Sequence, residues 1–160
     1  MTSERKIAVI TQTEGLLFTN IAKYCMDKRQ IGVEYFQHAA EALAIFSVKR
    51  YPLIVSTFEV PSGNFDEDPE LRKVHEQAPE GHERYAHIGL HMIRRIRQSG
   101  ANRETPIIVA DIYDSIEDSL HEDVNRRCIE AGATMYFPLF WGKGNRLAVL
   151  ADEIDKRAQW

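Results

Sequence analysis

Five short apolar runs, each followed by a stretch with helical periodicity, are the feature of this chain that most restricts its fold. The runs are rich in β-branched residues and lack the polar alternation of a half-exposed strand. Each run therefore predicts a strand that is buried on both faces and covered by helices on both sides. The predicted strands occupy residues 6–11, 31–36, 52–57, 106–110 and 134–137.

The segments between these strands carry apolar residues at helical spacing. Helices are predicted at residues 14–29, 38–50 and 88–98, in a stretch ending at Gly132, and at residues 145–157. The side chains predicted to face inward include Ala40, Leu43 and Ala44 in the second helix, and Leu120, Val124 and Cys128 in the fourth. Right-handed crossovers then give an α/β fold, a doubly wound parallel sheet of the flavodoxin-like kind with strand order 2-1-3-4-5.

One segment, residues 62–86, does not fit the alternation of strands and helices. Prolines and glycines interrupt it, although residues 66–75 are able to form a short helix with Pro69 in its first turn. The segment joins the third strand to the third helix, so it is expected over or beside the carboxyl ends of the strands. We interpret residues 1–160 as one domain with this insertion, whose length is typical of functional or disordered loops.

Composition limits the classes of function. The net charge of −4 argues against direct nucleic-acid binding, which requires a basic footprint. The sequence has no run of about 18 apolar residues that would span a membrane, and its first residues lack the apolar segment of a signal peptide. A cytoplasmic location is therefore expected. Cys25 and Cys128 lie on helical stretches and form no CxxC pattern, which predicts reduced, buried thiols.

Three segments together resemble response-regulator receiver domains. Residues 89–97 (GLHMIRRIR) are similar to the third helix of receivers, and residues 130–136 (EAGATMY) to the Ala-Gly-Ala-x-x-Tyr run that enters strand 5. Residues 51–61 are similar to the segment that places the phospho-acceptor Asp four residues before a Pro. The segments follow one another in the receiver's order, and the resemblance covers nearly the whole chain apart from the insertion.

The resemblance implies a phosphorylation site, but this chain departs from the receiver pattern at every position of that site. Receivers hold Mg²⁺ with an acidic pair after strand 1 and accept the phosphoryl group on an Asp after strand 3. A Ser/Thr after strand 4 and a Lys after strand 5 contact the phosphoryl oxygens. Carried over, these positions fall on Thr11 and Gln12, on Thr57, on Asp111, and on Leu139, or on Phe137 where Pro138 is aligned.

These departures predict a pseudo-receiver that has lost aspartate phosphorylation. Thr57 forms no acyl phosphate, and Mg²⁺ loses its acidic ligands after strand 1. Asp111 would repel a phosphoryl group. Tyr136 matches the aromatic residue of the receiver switch, and its phenol is in a position to donate a hydrogen bond to Asp111. A packed core aromatic is the alternative role for Tyr136.

His87 and His91 are four residues apart, a spacing that places both on one helix face and is able to chelate a transition metal. The sequence contains no HExxH motif and no cysteine near them, so we predict no metal site and keep the pair as weak candidates. Phe140 and Trp141 have two alternatives. They either pack on the edge of the domain or form an apolar patch that binds a partner.

The leading hypothesis is a phosphorylation-independent, receiver-like signalling module that needs no cofactor and acts through protein contacts. By resemblance, its surface would be helix 4, strand 5 and helix 5, roughly residues 115–157, in a homodimer or against a partner. An output domain in a longer, often transcriptional, regulator is a further expectation. The alternative is a ligand- or metal-sensing domain that uses residues 62–86 as a lid. An enzyme is not expected, because no Ser-His-Asp or Cys-His arrangement has supporting context.

Overall fold

The computed structural model describes residues 5–11, 16–64, 66, 68–111, 118–139 and 146–160, and the side chains of residues 16–19 and 118–119 are not described. This part of the chain forms five strands and six helices, with two consecutive helices between the third and fourth strands. In chain order they are β1 Lys6–Ile10, α1 Leu16–Arg29, β2 Gly32–Phe36, α2 Ala39–Phe46, β3 Ile54–Ser56, α3 Pro69–Gln77, α4 His82–Gln98, β4 Ile107–Asp111, α5 Asp118–Ala131, β5 Met135–Pro138 and α6 Leu147–Arg157.

The five strands form one parallel sheet in the order β2-β1-β3-β4-β5, which confirms the predicted topology. In the register of the sheet, Ile10 lies opposite both Phe36 and Ser56, and Asp111 lies opposite Pro138. All the strands run in the same direction, so the residues that follow them collect at one edge of the sheet. That carboxyl edge is where an open α/β sheet places its sites.

Hydrophobic cores cover both faces of the sheet, as the continuous apolar strands predict. Along β1, Ala8 and Ile10 belong to the core beneath α2, α4 and α5, whereas Ile7 and Val9 belong to the core beneath α1 and α6. Cys25 and Cys128 are fully buried free thiols, as predicted. None of the helices in the described part of the chain combines the length and apolar character needed to cross a bilayer.

The insertion is shorter than the predicted range of residues 62–86, and much of it is helical. Its short helix, α3, forms with Pro69 in the first turn, as predicted. The next helix begins at His82 rather than near Ile88, so residues 82–86 belong to α4. The carbonyl groups of Pro61 and Ser62 accept hydrogen bonds from the first amides of α2, which ties the start of the insertion to that helix.

The remainder of the insertion packs along α4 as a helical hairpin. Asp68 is buried and caps α3 through Leu71 N at 3.2 Å, and it also pairs with Arg95 of α4. Leu71 is fully buried in the core. Near the other end of α3, the guanidinium of Arg84 lies 3.4 Å from His75 Nε2. These contacts fix α3 against α4.

Two inward-facing predictions were wrong. Ala44 is exposed, because Ala39, Ala42 and Phe46 supply the buried stripe of α2 together with the correctly predicted Ala40 and Leu43. Leu120 is 53% exposed. The buried face of α5 includes His121, Val124 and Cys128 instead, so the helix is rotated by one residue at its start relative to the prediction.

Candidate functional site

The predicted site positions that the structure describes do lie at the carboxyl edge of the sheet, and all of them are buried. Thr11 follows β1, Thr57 follows β3, Asp111 ends β4 and Leu139 follows β5. Gln12, Phe140 and Trp141 lie outside the described residues. Each of these four positions therefore has little access to solvent.

The hydroxyl group of Thr57, at the position of a phospho-acceptor, is engaged in the local backbone. Its Oγ1 donates a hydrogen bond to the carbonyl oxygen of Glu59 at 2.9 Å. Its backbone amide donates to the carbonyl oxygen of Ile10 at 3.1 Å and so holds β3 against β1. This geometry gives Thr57 a structural role in the turn that leaves β3.

A buried hydrogen-bonded set connects β4, β5 and α5 at the same edge, and we call Asp111, Tyr136 and His121 the polar trio. The phenol of Tyr136 donates to Asp111 Oδ2 at 3.0 Å, which confirms the predicted hydrogen bond. His121 Nδ1 lies 2.8 Å from the same phenol oxygen. Their relative exposures are 2% for Asp111, 9% for Tyr136 and 4% for His121.

The proton positions in the polar trio follow from the single proton of a phenol. Since Tyr136 donates its proton to Asp111, the phenol oxygen accepts a hydrogen bond from His121, which therefore carries a proton on Nδ1. Burial raises the pKa of the Tyr136 phenol far above its ordinary value, and the neighbouring Asp111 carboxylate raises it further. The phenol thus remains a proton donor throughout the physiological range.

Cys128 of α5 shares the surroundings of the polar trio. Burial raises the pKa of its thiol to about 12, and the Asp111 carboxylate also raises it, while Arg127 acts in the opposite sense. A thiol with such a pKa stays protonated near neutrality and does not act as a nucleophile. Cys25, on the other face of the sheet, is similar, because burial raises its pKa to about 11.

Both alternatives for the lysine position hold buried apolar side chains. Leu139 is 2% exposed, and its amide donates to the carbonyl oxygen of Asp111 at 2.8 Å. Phe137 is equally buried, and the guanidinium carbon of Arg146 lies 4.4 Å from the centre of its ring. Arg146 also donates to the carbonyl oxygen of Pro138 at 3.2 Å. Arg146 is thus engaged with β5.

His87 and His91 share one face of α4, as their spacing predicts, but each approaches a different carboxylate. His87 Nε2 lies 3.5 Å from Glu83, and His91 Nε2 lies 3.8 Å from Glu70 of α3. His82 pairs with Glu59 at 3.0 Å. Within the described ranges, no group of three or more His, Cys, Asp or Glu residues is arranged to hold a metal ion.

The sequence reasoning missed His121 as a site residue. The signal was present, because His121, Val124, Cys128 and Ala131 follow a helical spacing and all are buried. The prediction instead took Leu120 as the first inward residue of the helix, so it assigned His121 to the exposed face. With His121 inward, a polar side chain on α5 would have been directed at the sheet edge that carries Asp111 and Tyr136.

The predicted interaction surface corresponds to α5, β5 and α6 in this structure. Three large apolar side chains on its helices are substantially exposed: Leu120 at 53%, Ile129 at 47% and Val149 at 45%. On α5, Arg126 forms ion pairs with Asp123 and Glu130. Singly exposed apolar side chains are common on protein surfaces, and Met26 and Val48 elsewhere are exposed to 56% and 80%, so the interaction surface stays a prediction.

No protein-family model matches the sequence, and no curated protein is significantly similar to it. Solved structures are similar in fold. A response regulator from Hahella chejuensis is 20% identical with a TM-score of 0.59, each chain covered to 92%. A signal receiver domain from Clostridium thermocellum is 14% identical with a TM-score of 0.63, covering 99% of this chain and 100% of that one.

A third structure, the receiver domain of the sensor histidine kinase PA1611 from Pseudomonas aeruginosa, holds a magnesium ion in its active-site cleft. It is 15% identical with a TM-score of 0.61, covering 97% of this chain and 98% of that one. These likenesses extend over nearly the whole length of both partners and agree with the observed strand order. The chain therefore has the fold of response-regulator receiver domains.

Proposed function

We propose that this protein is a receiver-like module of two-component signalling that works without aspartate phosphorylation and acts through contacts with other proteins. The observation that carries this proposal is the polar trio. In place of a hydroxyl that would contact a phosphoryl group, the end of β4 presents Asp111, which is bound to Tyr136 and buried. The trio joins the switch aromatic to the phosphorylation edge by a hydrogen bond that requires no phosphoryl group.

Electrostatics supports the same proposal. A phosphoryl group carries negative charge, and its transfer requires nearby cations to stabilise that charge. Among the residues that the structure describes, the edge instead contains the Asp111 carboxyl group, a threonine hydroxyl that donates to Glu59, and apolar Leu139. We propose that this module has no enzymatic activity and needs no cofactor. We also propose that it is located in the cytoplasm.

The proposed interaction surface consists of the exposed faces of α5, β5 and α6. The polar trio ties α5 to β4 and β5 through His121 and Tyr136, so it sets the position of this surface. We propose that the surface forms a homodimer or docks on a protein partner. The partner could be an output domain in the same polypeptide, including one that regulates transcription.

The first experiment incubates the full chain with Mg²⁺ and acetyl phosphate, and separately with beryllofluoride, beside a receiver domain that has an aspartate acceptor. We expect intact mass spectrometry to show a phosphoryl adduct on the control receiver and none on this chain. Two-dimensional NMR should show no Mg²⁺-dependent shifts around Thr57 and Asp111. A Mg²⁺-dependent adduct on this chain would overturn the proposal of phosphorylation independence.

A second experiment tests the proposed surface by sedimentation of variants. Ile129→Glu and Val149→Glu place a charge on the α5 and α6 faces, and each should weaken self-association or partner binding by about tenfold or more, since desolvating an unpaired charge is unfavourable. Met26→Glu and Val48→Glu are matched controls at exposed apolar positions elsewhere, at 56% and 80% exposure. Equal effects of all four substitutions would contradict the proposed location.

One observation favours a second function, that of a ligand-sensing domain. A cavity of about 330 Å³ lies between α3 and α4, with one wall supplied by the insertion. The insertion would then act as a wall of this cavity, because α3 packs along α4 through Asp68 and Arg95. These contacts place the insertion along α4, so they do not favour a lid over the carboxyl edge of the sheet.

A further inference from the structure

The cavity between α3 and α4 is large enough for a small molecule and is lined mainly by polar side chains. Its volume of about 330 Å³ is at the lower end of the range found for small ligands. The lining residues are Val74, Gln77 and Ala78 from the α3 side and His87, His91 and Arg94 from α4. The α3 side thus combines the apolar Val74 and Ala78 with the Gln77 amide, whereas the α4 side is polar.

Two of the lining groups have hydrogen-bonding capacity that the protein does not use. His91 Nε2 is buried, yet it makes no hydrogen bond to any residue that the structure describes. Arg94 is exposed at the rim and forms no hydrogen bond or ion pair within the same described ranges. Buried nitrogen atoms without a partner are rare in folded proteins, and they indicate a place for a ligand or an ordered water.

The charges around the cavity favour an anion. Asp68 and Glu70, the two carboxylates at the start of α3, both pair with Arg95, Glu70 at 3.6 Å. Glu83 pairs with Arg127 of α5. The acidic groups nearest the histidines are therefore already partnered by arginines, and the Arg94 guanidinium remains as a cation without a counter-charge.

We propose that this cavity binds a small oxyanion, a carboxylate or phosphate group on a small molecule, through Arg94, His91 Nε2–H and His87. Arg94 provides the planar fork of donors that matches two oxygens of one anion. His91 Nε2 has almost no accessible surface, so a small rotation of the His91 ring is needed to bring this donor to the anion, and Gln77 supplies an amide from α3. Burial and then Arg95 lower the pKa of His91, so it acts as a neutral donor at pH 7.

This inference is independent of the proposed signalling function, because none of its residues belongs to the polar trio or the carboxyl edge. Binding would bridge α3 and α4, and a ligand that binds only the folded hairpin stabilises it. The insertion, which has no counterpart in the receiver pattern, would then give the module a chemical input of its own.

The test is a titration of the ¹⁵N-labelled full chain with inorganic phosphate and, separately, with succinate, at ionic strength held constant with sodium chloride. We expect saturable shifts confined to α3 and α4 for at least one anion. Saturation by phosphate alone would assign a phosphate group, saturation by succinate alone a carboxylate, and saturation by both an oxyanion site without selectivity. The absence of a saturable shift up to roughly 50 mM, where even a weak site fills, would overturn the proposal.

Variants separate this cavity from general charge effects. Arg94→Gln should weaken binding by about tenfold or more, since it removes the charge-assisted hydrogen bonds. Arg103→Gln is the matched control, because Arg103 is also exposed but lies outside this cavity. Arg94 is exposed, so its variant is expected to fold. Equal affinities of Arg94→Gln and the unmodified protein would overturn the proposal.

Discussion

The polar trio and the cavity between α3 and α4 are both clusters of polar side chains around a histidine, but they are completed in opposite ways. In the trio, the Tyr136 phenol donates a hydrogen bond to Asp111 and accepts one from His121. In the cavity, the buried nitrogen of His91 has no hydrogen bond to any described residue. The trio is closed by the protein itself, whereas the cavity is left open.

This difference distinguishes a polar cluster that stabilises the fold from one that is able to bind a ligand. A buried polar network that satisfies its members favours one arrangement of the elements that it joins, here β4, β5 and α5. A buried polar group without a partner is unfavourable, and a hydrogen bond from a ligand or a water molecule lowers the free energy of the folded state. The hairpin built from the insertion is therefore better suited to bind a small molecule than the carboxyl edge of the sheet.

The largest expected effect is alkaline destabilisation of the closed region. The folded-state pKa of Cys128 is about 12, above the ordinary value of 9.0. The folded state thus keeps a proton that the unfolded chain loses, so this contribution is complete below about pH 9 and is lost as the pH rises towards 12. At pH 11 the free energy of unfolding should have fallen by about 3 kcal/mol from this thiol alone.

Urea unfolding at pH 8 and pH 11 measures this loss, and Cys128→Ala isolates the thiol. The variant should lose less stability than the unmodified protein between the two pH values, because no thiol remains to titrate at that position. Tyr136 contributes in the same direction, since its pKa is also raised. Parallel pH profiles for the variant and the unmodified protein would show that Cys128 is not held protonated by the fold.

Removal of the phenol should open the closed trio. Tyr136→Phe leaves Asp111 and His121 without their shared partner, and loss of a buried hydrogen bond to a charged group is unfavourable by about 2 to 3 kcal/mol. Tyr24→Phe is the matched control, because Tyr24 is only half-buried on α1 and should change the free energy of unfolding by less than about 0.5 kcal/mol. Urea unfolding with an unchanged m-value is the measurement. Similar losses of unfolding free energy in both variants would mean that the hydrogen bonds of Tyr136 do not stabilise the fold more than an ordinary surface tyrosine does.

Loss of the α3 cap should loosen the wall of the open cavity. Asp68→Ala removes the cap on Leu71 N and the partner of Arg95, at a loss of about 2 kcal/mol. Asp66→Ala is the control, because Asp66 is 85% exposed and its pair with Arg72 should contribute less than about 0.5 kcal/mol. Hydrogen exchange in α3 locates the effect. Unchanged protection of α3 in Asp68→Ala would mean that the hairpin is held by other contacts.

The fold was predictable from the sequence because strand burial leaves a local pattern. The five apolar runs and their order gave the parallel sheet and strand order that the structure shows. The start of α4 was missed because residues 82–86 are mostly polar and follow Pro79 and Gly81. Their helical spacing becomes evident only when Ala86 is grouped with Gly89 and Ile93, which are also buried.

The site was predictable only in part, because its contacts join residues far apart in sequence. Asp111 and Tyr136 were identified, since both follow from the receiver pattern at the ends of adjacent strands. His121 was missed, because its inward orientation depends on the rotation of α5. The Asp68–Arg95 pair spans 27 positions and has no local signal that distinguishes it from a solvated pair.

The smallest expected effects come from the same substitution at the two histidines, and only the one at His121 should be destabilising. His121→Leu removes the donor to Tyr136 and should lower the free energy of unfolding by about 1 kcal/mol. His91→Leu removes a buried nitrogen that has no hydrogen bond, so it should be neutral or raise stability by about 0.5 kcal/mol. Urea unfolding of both variants at pH 7 in phosphate-free buffer is the measurement. A loss at His91 as large as that at His121 would contradict the open cavity, because it would mean that His91 already has a hydrogen-bond partner. A gain in stability at His91 with a loss at His121 would show that the polar trio stabilises the fold and that the buried His91 nitrogen destabilises it, the trade-off that is common at binding sites.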